Sequence, residues 1–163
     1  IETPKRVVNA YKEFFGGYDS DPEQVLSKTF DEVEGYDEMV IVRDIAIESH
    51  CEHHMVPFVG IAHIGYIPNK RIVGISKLAR IADVFAKRLQ TQETMTAQIA
   101  DTINEVLKPK GVAVVIDAQH QCMTTRGTHK SESSTITSRM LGLFRTNSNT
   151  RNEFMNLINS ANK

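Results

Sequence analysis

The chain has 163 residues, which is the size of one domain and enough to bury a hydrophobic core without cross-links. Hydrophobic residues make up 40% and charged residues 24%, the ordinary range for globular domains, and the net charge is −1. These values exclude a protein-wide field that attracts nucleic acid or an anionic membrane, and no apolar run approaches the ~20 residues that span a bilayer.

The N-terminal part predicts one helix followed by an irregular stretch. Thr3-Pro4 is typical of a helix start with Thr3 as the cap, and Gly16-Gly17 ends the helix. Residues 18–37 are polar and irregular, with a turn at Asp21-Pro22. The helix is indicated by an apolar stripe: Val7, Val8, Tyr11, Phe14 and Phe15.

Two runs rich in β-branched residues, 39–48 and 58–67, predict strands. Pro68-Asn69 ends the second strand. The loop between them holds Cys51 and His54.

Two helices follow. Ser76 can cap the first, whose apolar face comprises Leu78, Ile81, Ala82, Phe85 and Leu89. The second ends at Pro109 and Gly111, and its apolar face comprises Met95, Ile99, Ile103, Val106 and Leu107.

The last third predicts two strands and a terminal helix. Residues 112–122 are apolar at first, which is typical of a strand buried on both faces, and 133–140 is a second strand. The sequence from Thr150 to Glu153 fits a capping box that opens a helix with Phe154, Leu157 and Ile158 on its apolar face.

This order of elements indicates an α+β domain, which we expect to extend over residues 1–163. Four antiparallel strands cannot close a roomy barrel and leave sheet edges exposed. We therefore predict an oligomer in which the sheet continues from one subunit to the next. The N-terminus IETPKR is not typical of a secretion signal, so we expect a cytoplasmic protein with neither nucleic acid nor a membrane as a partner.

A cluster of thiols and imidazoles predicts a metal site. In Cys51-x-x-His54 one loop can bring two ligands to one ion, and His120 and Cys122 would face the same way on a strand. In a reducing compartment these cysteines favour a metal over a disulfide, and thiolate with imidazole favours Zn²⁺. Three ligands, Cys51, His54 and Cys122, leave a coordination position open for catalysis.

The spare histidines, His53 and His120, can move protons near neutral pH. Two alternatives remain open at this point. The histidines can simply satisfy backbone groups in loops, or a fourth histidine can close the metal site and make it structural.

Basic residues predict an anionic substrate. Ser76 and Lys77 lie near a helix start, where free N–H groups favour phosphate, and Arg80 follows one turn later. Arg126 and Lys130 come shortly after Cys122. The alternative is that each of these bases lies on a solvated surface.

Gln92 and Glu93 lie between the two predicted helices. Spacing alone favours a glutamate that only starts the next helix, where its charge complements the helix dipole. A carboxylate that binds the N–H edge of a purine is the alternative.

Four segments resemble GTP cyclohydrolase I, the zinc hydrolase that opens pterin and tetrahydrofolate biosynthesis: CEHHMVPF, GISKLARI, QTQE and DAQHQCMTTRG. TPKRV near the start and LGLF and NTRNEF near the end are also similar to that family, so the resemblance extends from Thr3 onward. It implies a tunnelling fold, an antiparallel four-stranded sheet with helices on one side. It further implies five-subunit rings with a shared barrel, paired into a homodecamer with active sites between subunits, and it leaves allosteric regulation open.

The resemblance also implies roles for individual residues. The zinc ligands are Cys51, His54 and Cys122. The catalytic residues are His53 and His120, which transfer protons, and Ser76. The ribose and triphosphate lie near Ser76, Lys77, Arg80, Arg126 and Arg6. Guanine is recognised by Gln92 and Glu93.

In the implied reaction, zinc-activated water attacks C8 of GTP and a second hydrolysis expels C8 as formate. The ribose then opens, rearranges and recloses to give 7,8-dihydroneopterin triphosphate. Zinc can lower the pKa of its water from ~16 to about 7, and histidines suit repeated proton transfer.

The sequence departs from the family pattern in the THKSESS segment after Gly127, and His50 adds an imidazole that can compete for metal. We expect the family's further N-terminal helices to be absent here or removed. Two other functions remain as alternatives. A zinc deaminase would release ammonia but needs H-x-E together with P-C-x-x-C, a combination that the sequence lacks. A non-catalytic module would hold a four-coordinate structural zinc.

Overall fold

The computed structural model describes residues 1–30 and 35–160. In chain order its elements are α1 (Thr3–Phe14), a 3-10 helix (Gly16–Asp19), α2 (Pro22–Leu26), β1 (Thr29–Phe30), β2 (Val40–Cys51), β3 (Pro57–Ile67), β4 (Ile72–Val73), α3 (Ile75–Ala86), β5 (Leu89–Gln90), α4 (Gln92–Leu107), β6 (Gly111–His120), α5 (Gln121–Thr124), β7 (Thr135–Gly142), α6 (Leu143–Thr146) and α7 (Ser148–Asn159). The α+β class is confirmed.

The main sheet has the strand order β5-β2-β3-β6-β7. The four long strands are antiparallel neighbours, as predicted. The two-residue β5 adds a short parallel pairing at the end of β2, where His50 is opposite Leu89 and Cys51 is opposite Gln90. β1 and β4 form a separate pair.

Alternating residues of β6 pack on opposite faces of the sheet. The larger core, with α3 and α4, takes Val112, Val114 and Ile116. The smaller core, with α6 and α7, takes Ala113 and Val115. The prediction of helices on one side only is therefore wrong for α6 and α7. Successive side chains of a strand point to opposite faces, so a continuous apolar run predicts that both faces are buried. It does not predict which helix covers each face.

The predicted starts of two helices are wrong by one to three residues. α1 includes Thr3 as a helical residue, so Thr3 is not its cap. α7 begins after Asn147, whose side chain accepts hydrogen bonds from the backbone N–H groups of Asn149 and Thr150. Thr150 lies inside that helix and does not open it.

α3 also differs from the prediction at both ends. It begins after Gly74, which places Ser76 within the first turn, and it ends at Ala86. Leu89 consequently belongs to β5 and not to the helical apolar face. The backbone leaves the helix early because Lys87 has a non-helical conformation.

The stretch 18–37 is more ordered than predicted, since it contains α2 and β1. Asp21 caps α2: its Oδ1 accepts hydrogen bonds from the backbone N–H groups of Glu23 and Gln24, at 2.9 and 3.4 Å. Residues 31–34 of this stretch lie outside the described residues.

α1 buries none of its side chains. Its apolar stripe is exposed, from 40% at Val7 to 59% at Val8. The Phe14 ring lies against the His50 ring of β2, with centroids 4.7 Å apart, and Phe15 contacts the same ring at 5.4 Å.

Among the helices of residues 1–30 and 35–160, none combines the length and the apolarity that a membrane crossing requires.

Candidate active site

The ends of three elements meet at one cavity of about 220 Å³. Cys51 is the last residue of β2, His120 is the last residue of β6, and Cys122 lies in α5. The ligand atoms of these three residues lie within 4.8 Å of one another, so they could bind a metal ion. The cavity is also lined by His53, Thr91, Gln92, Glu93, Met123 and Thr135.

His120 and Cys122 come together by a different route from the one predicted. β6 ends at His120 and the chain enters a helical turn at Gln121, so the two side chains are not alternate residues of one strand. The turn brings the Cys122 thiol back toward β2, where Cys51 is 4% exposed.

The donor set suits a soft or borderline metal, because two thiols and an imidazole are the ligands that zinc prefers. Both cysteines are free. Burial, and then the neighbouring Cys51 sulfur, raise the pKa of the Cys122 thiol above its ordinary value. A metal ion must therefore displace a proton that this thiol holds firmly, so metal affinity should fall as the pH falls.

His53 and His54 lie in the turn that follows Cys51, and both are exposed. The Nδ1 atom of His53 lies 3.3 Å from the Cys51 sulfur. The Nε2 atom of His54 lies 3.1 Å from Nη1 of Arg126, which donates to it. The structure thus brings two of the three predicted ligands together, Cys51 and Cys122, and adds His120 to them in place of His54.

His120 is held on two sides. Its ring stacks on Phe58 with centroids 4.6 Å apart and planes 10° apart, and its Nε2 atom lies 2.8 Å from the side-chain oxygen of Gln92. Burial lowers the pKa of His120, an effect that the charge of Glu93 partly offsets. A lowered pKa keeps the imidazole neutral near pH 7, so that it can accept a proton or bind a metal.

Gln92 and Glu93 are the first two residues of α4, whose cap is Thr91. The Glu93 side chain is exposed at the cavity, whereas Gln92 is 1% exposed. The helix start that spacing alone favoured for Glu93 is confirmed, and the same position places its carboxylate beside the candidate metal ligands.

The remaining predicted substrate residues do not converge on this cavity within one chain. Ser76, Lys77 and Arg80 belong to α3, and Arg80 lines a separate cavity of about 410 Å³ between α3 and the segment 12–25. Arg6 lies on α1, where it pairs with Glu2 at 3.8 Å. Of the predicted bases, Arg126 is the one near the site, through its contact with His54.

Sequence reasoning missed the residues that support the site. Phe58 stacks on His120, and Thr135 and Thr137 of β7 contact the Gln92 side chain. These contacts join residues far apart in the chain, and no spacing in the sequence indicates them. His50, named as a competing metal ligand, instead packs against the Phe14 and Phe15 rings and is not part of the group around Cys51.

The THKSESS segment forms an exposed loop between α5 and β7. Its His129 has a left-handed backbone, with φ of 50°. The backbone N–H of Lys130 donates to the carbonyl of Met123 at 2.8 Å, which folds the loop back onto the end of α5.

A family model described as GTP cyclohydrolase I matches residues 1–159. Three similar bacterial proteins are each named GTP cyclohydrolase 1. The protein of Maricaulis maris is 56% identical over 161 residues, which is 99% of this chain and 78% of the relative. Those of Hyphomonas neptunium and Brucella suis are 59% and 58% identical, and the matches cover 96% and 97% of this chain and 76% and 74% of the relatives.

Among solved structures, a crystal structure of the archaeosine synthase QueF-Like in the apo form matches with a TM-score of 0.49 and 13% identity. The match covers 64% of this chain and 93% of that chain.

Proposed function

The chain belongs to the GTP cyclohydrolase I family, and we propose that it hydrolyses GTP at C8 with zinc, releases formate and forms 7,8-dihydroneopterin triphosphate. The observation that carries this proposal is the approach of two thiols and an imidazole in a cavity that also holds the Glu93 carboxylate. The product would enter pterin and tetrahydrofolate biosynthesis, in the cytoplasm.

Zinc would be held by Cys51 and Cys122 together with a histidine, which we propose to be His54. Bound there, zinc supplies a Lewis acid that makes water nucleophilic at neutral pH. His54 lies in an exposed turn that starts at Cys51, where the backbone N–H of Met55 donates to the Cys51 carbonyl at 2.8 Å. The His54 ring contacts the exposed Arg126 side chain and lies 6.3 Å from the His53 ring, centroid to centroid, so it has room to turn toward the sulfurs.

His120 and His53 would transfer protons during ring opening and rearrangement. The lowered pKa of His120 supports this role, because a neutral imidazole accepts a proton near pH 7. His53 lies beside the Cys51 sulfur and lines the same cavity. We include Ser76 among the catalytic residues by resemblance to the family.

Glu93 would bind guanine. An ionised carboxylate can accept from the N1–H and the 2-amino group of guanine together, whereas adenine offers no such pair. A site built around this contact rejects the wrong base, because the carboxylate would lose its partner there. The resemblance assigns Gln92 to the same task.

The triphosphate would be bound by basic residues from more than one copy of the chain: Lys77, Arg80, Arg126 and Arg6. Within one chain most of these lie away from the cavity, which supports an active site between subunits. The outer edges of β2 before His50 and of β7 have no strand partner among the described residues. We propose that copies pair these edges into the barrel of a tunnelling fold, in a homodecamer.

The experiment is incubation of the full chain with GTP, with ATP as the control nucleotide. We expect one formate per GTP, a fluorescent pterin after oxidation, and no product from ATP. Removal of metal with a chelator should abolish both products, and added Zn²⁺ should restore them. Release of ammonia in place of formate, or turnover that survives complete metal removal, would contradict the proposal.

A further inference from the structure

Gln92 is almost completely buried, with 1% of its surface exposed. Its side-chain nitrogen lies 3.0 Å from the carbonyl oxygen of Ile116, 2.8 Å from that of Thr135 and 3.1 Å from the hydroxyl of Thr137. Carbonyl oxygens only accept hydrogen bonds, so the atom that faces them must be the amide nitrogen. The orientation of the Gln92 amide is therefore fixed by the backbones of two strands, β6 and β7.

The neighbouring threonines agree with this orientation. The Thr96 hydroxyl donates to the backbone carbonyl of Gln92 at 2.6 Å, which uses its only proton. The Thr137 hydroxyl must then donate to the Thr96 oxygen, 2.7 Å away, and it remains free to accept from the Gln92 amide. The two hydroxyl protons thus have assigned positions, and the two amide protons of Gln92 are shared among three acceptors.

The amide oxygen of Gln92 consequently faces His120 Nε2 at 2.8 Å. An amide oxygen carries no proton, so Nε2 must be the donor. A neutral imidazole carries one N–H, which leaves Nδ1 with a bare lone pair. Phe58 fixes the plane of the ring by stacking on it.

We propose that Gln92 is a positioning residue that holds His120 in the Nε2–H tautomer, and that guanine is bound by Glu93 without the Gln92 side chain. Both amide protons and the amide oxygen of Gln92 already form hydrogen bonds. To reach a purine, this buried side chain would have to break its hydrogen bonds to two backbone carbonyls. Glu93, one residue later, is exposed.

This assignment sets what His120 can do. With Nε2 committed to Gln92, the ring accepts a proton or binds an ion through Nδ1 alone. Outer partners of metal-ligating histidines commonly contribute 10- to 100-fold to activity, and we expect an effect of similar size for a histidine beside the metal. The expected effect on turnover rests on the proposed function, whereas the tautomer does not.

The first test measures the tautomer of His120 by two-bond ¹H–¹⁵N correlation spectra of the full chain labelled with ¹⁵N-histidine. The His120 signals are assigned by their loss in His120→Gln. We expect a protonated Nε2 and a bare Nδ1 in the unsubstituted protein, and a mixture of tautomers in Gln92→Met, which keeps the length of the side chain. Gln90→Met is the matched control, because Gln90 is also buried and donates to a backbone carbonyl, that of Phe85.

A protonated Nδ1 in the unsubstituted protein overturns the proposal, even if Gln92→Met does not fold. An unchanged tautomer in folded Gln92→Met also overturns it, because another group would then fix the ring.

The second test separates positioning from guanine binding by steady-state kinetics with GTP. We expect Gln92→Met to lower kcat about 10- to 100-fold with KM within about twofold, and Glu93→Gln to raise KM. A raised KM with unchanged kcat in Gln92→Met would show that Gln92 binds guanine. If the unsubstituted protein does not convert GTP, the proposed function fails and the spectra alone decide the role of Gln92.

Discussion

Two histidines compete for the third ligand position beside Cys51 and Cys122. A ring nitrogen of His120 already lies within 4.8 Å of both sulfurs, but its ring is held by Phe58 and by Gln92. His54 lies in an exposed turn and contacts Arg126. A ligand in a turn can move to an ion, whereas a ring that is stacked and hydrogen-bonded keeps its position.

We therefore expect His54→Ala to weaken zinc binding by more than about 100-fold, since even an outer partner of a ligand contributes 10- to 100-fold. His120→Ala should keep its zinc and its fold but lose nearly all turnover. The measurements are zinc per subunit by mass spectrometry of the metal and competition with a chromogenic chelator. His129→Ala, on the exposed loop, is the control and should bind zinc normally. Loss of zinc in His120→Ala with retention in His54→Ala would assign the ligand to His120.

At the scale of elements, β3 and β6 approach closely at Gly60. A Cβ on Gly60 would clash with the backbone oxygen of Asp117 and would lie 2.5 Å from the Cα of Ala118. Phe58 and His120, which stack on each other, are register partners two residues further along the same pair of strands. The absence of a side chain at Gly60 thus brings the two strands together next to the site.

Gly60→Ala should lower the free energy of unfolding by about 1–3 kcal/mol. The added Cβ would meet backbone atoms of β6, which cannot move aside as a flexible side chain would. Denaturant unfolding followed by circular dichroism measures this change. Gly16→Ala is the control, since no atom lies within 4 Å of the added Cβ, and its effect should stay within about 0.5 kcal/mol. Equal stability of the two variants would show that the strands separate easily.

β2 carries an irregularity that a buried histidine stabilises. The register with β3 shifts between Val42 and Ile45, and Asp44 has a left-handed backbone with φ of 58°. The backbone N–H of Asp44 donates to Nδ1 of His63 at 3.2 Å, so this nitrogen must be unprotonated. Burial lowers the pKa of His63 below its ordinary value of 6.5; Asp44 and Asp117 oppose the shift and Arg43 adds to it.

A lowered pKa in the folded state means that the unfolded chain binds more protons below about pH 6.5, so stability should fall as the pH decreases from there through the folded pKa. His63→Gln keeps an acceptor for the Asp44 N–H but does not titrate. We expect a shallower loss of stability between pH 7 and pH 5 in this variant, measured by thermal unfolding across pH. His129→Gln should follow the unsubstituted curve, and an identical curve for His63→Gln would contradict the prediction.

Periodicity in the sequence predicted the long strands and the buried faces of α3 and α4, because these patterns reflect burial. The helix starts were less predictable, because Ser76 and Thr150 have the chemistry of caps but the backbone turns earlier, at Gly74 and Asn147.

At the site, residue types and local spacing predicted that Cys51 and Cys122 contribute to the same metal site. The partners of Gln92 did not, because they are backbone carbonyls of Ile116 and Thr135, and a backbone atom leaves no mark on the sequence.

At the scale of the whole molecule, two features support the proposal that copies of the chain assemble. The apolar stripe of α1 is exposed, and the outer edges of β7 and of β2 before His50 lack strand partners among residues 1–30 and 35–160. Exposed strand edges are sites of pairing with another chain. The predicted substrate bases on α3 also lie away from the cavity that holds Cys51.

Native mass spectrometry should find a homo-oligomer, which we expect to be a decamer. Val8→Glu places a charge on the exposed stripe of α1 and should produce smaller species while the circular dichroism spectrum stays the same. Asn9→Glu, at the neighbouring exposed position, is the control and should assemble normally. A monomer at micromolar concentration in the unsubstituted protein would contradict the prediction, as would normal assembly of Val8→Glu.

The contact of Phe14 and Phe15 with His50 has a practical consequence for enzymology. His50 immediately precedes Cys51, so a single peptide link joins the packing of α1 to a residue of the candidate metal site. In the proposed oligomer another copy would cover the exposed side of α1, so dissociation would leave α1 held by fewer contacts and would loosen this support. Specific activity and metal retention should therefore decline together on dilution, and assays of different preparations are comparable only at matched protein concentration.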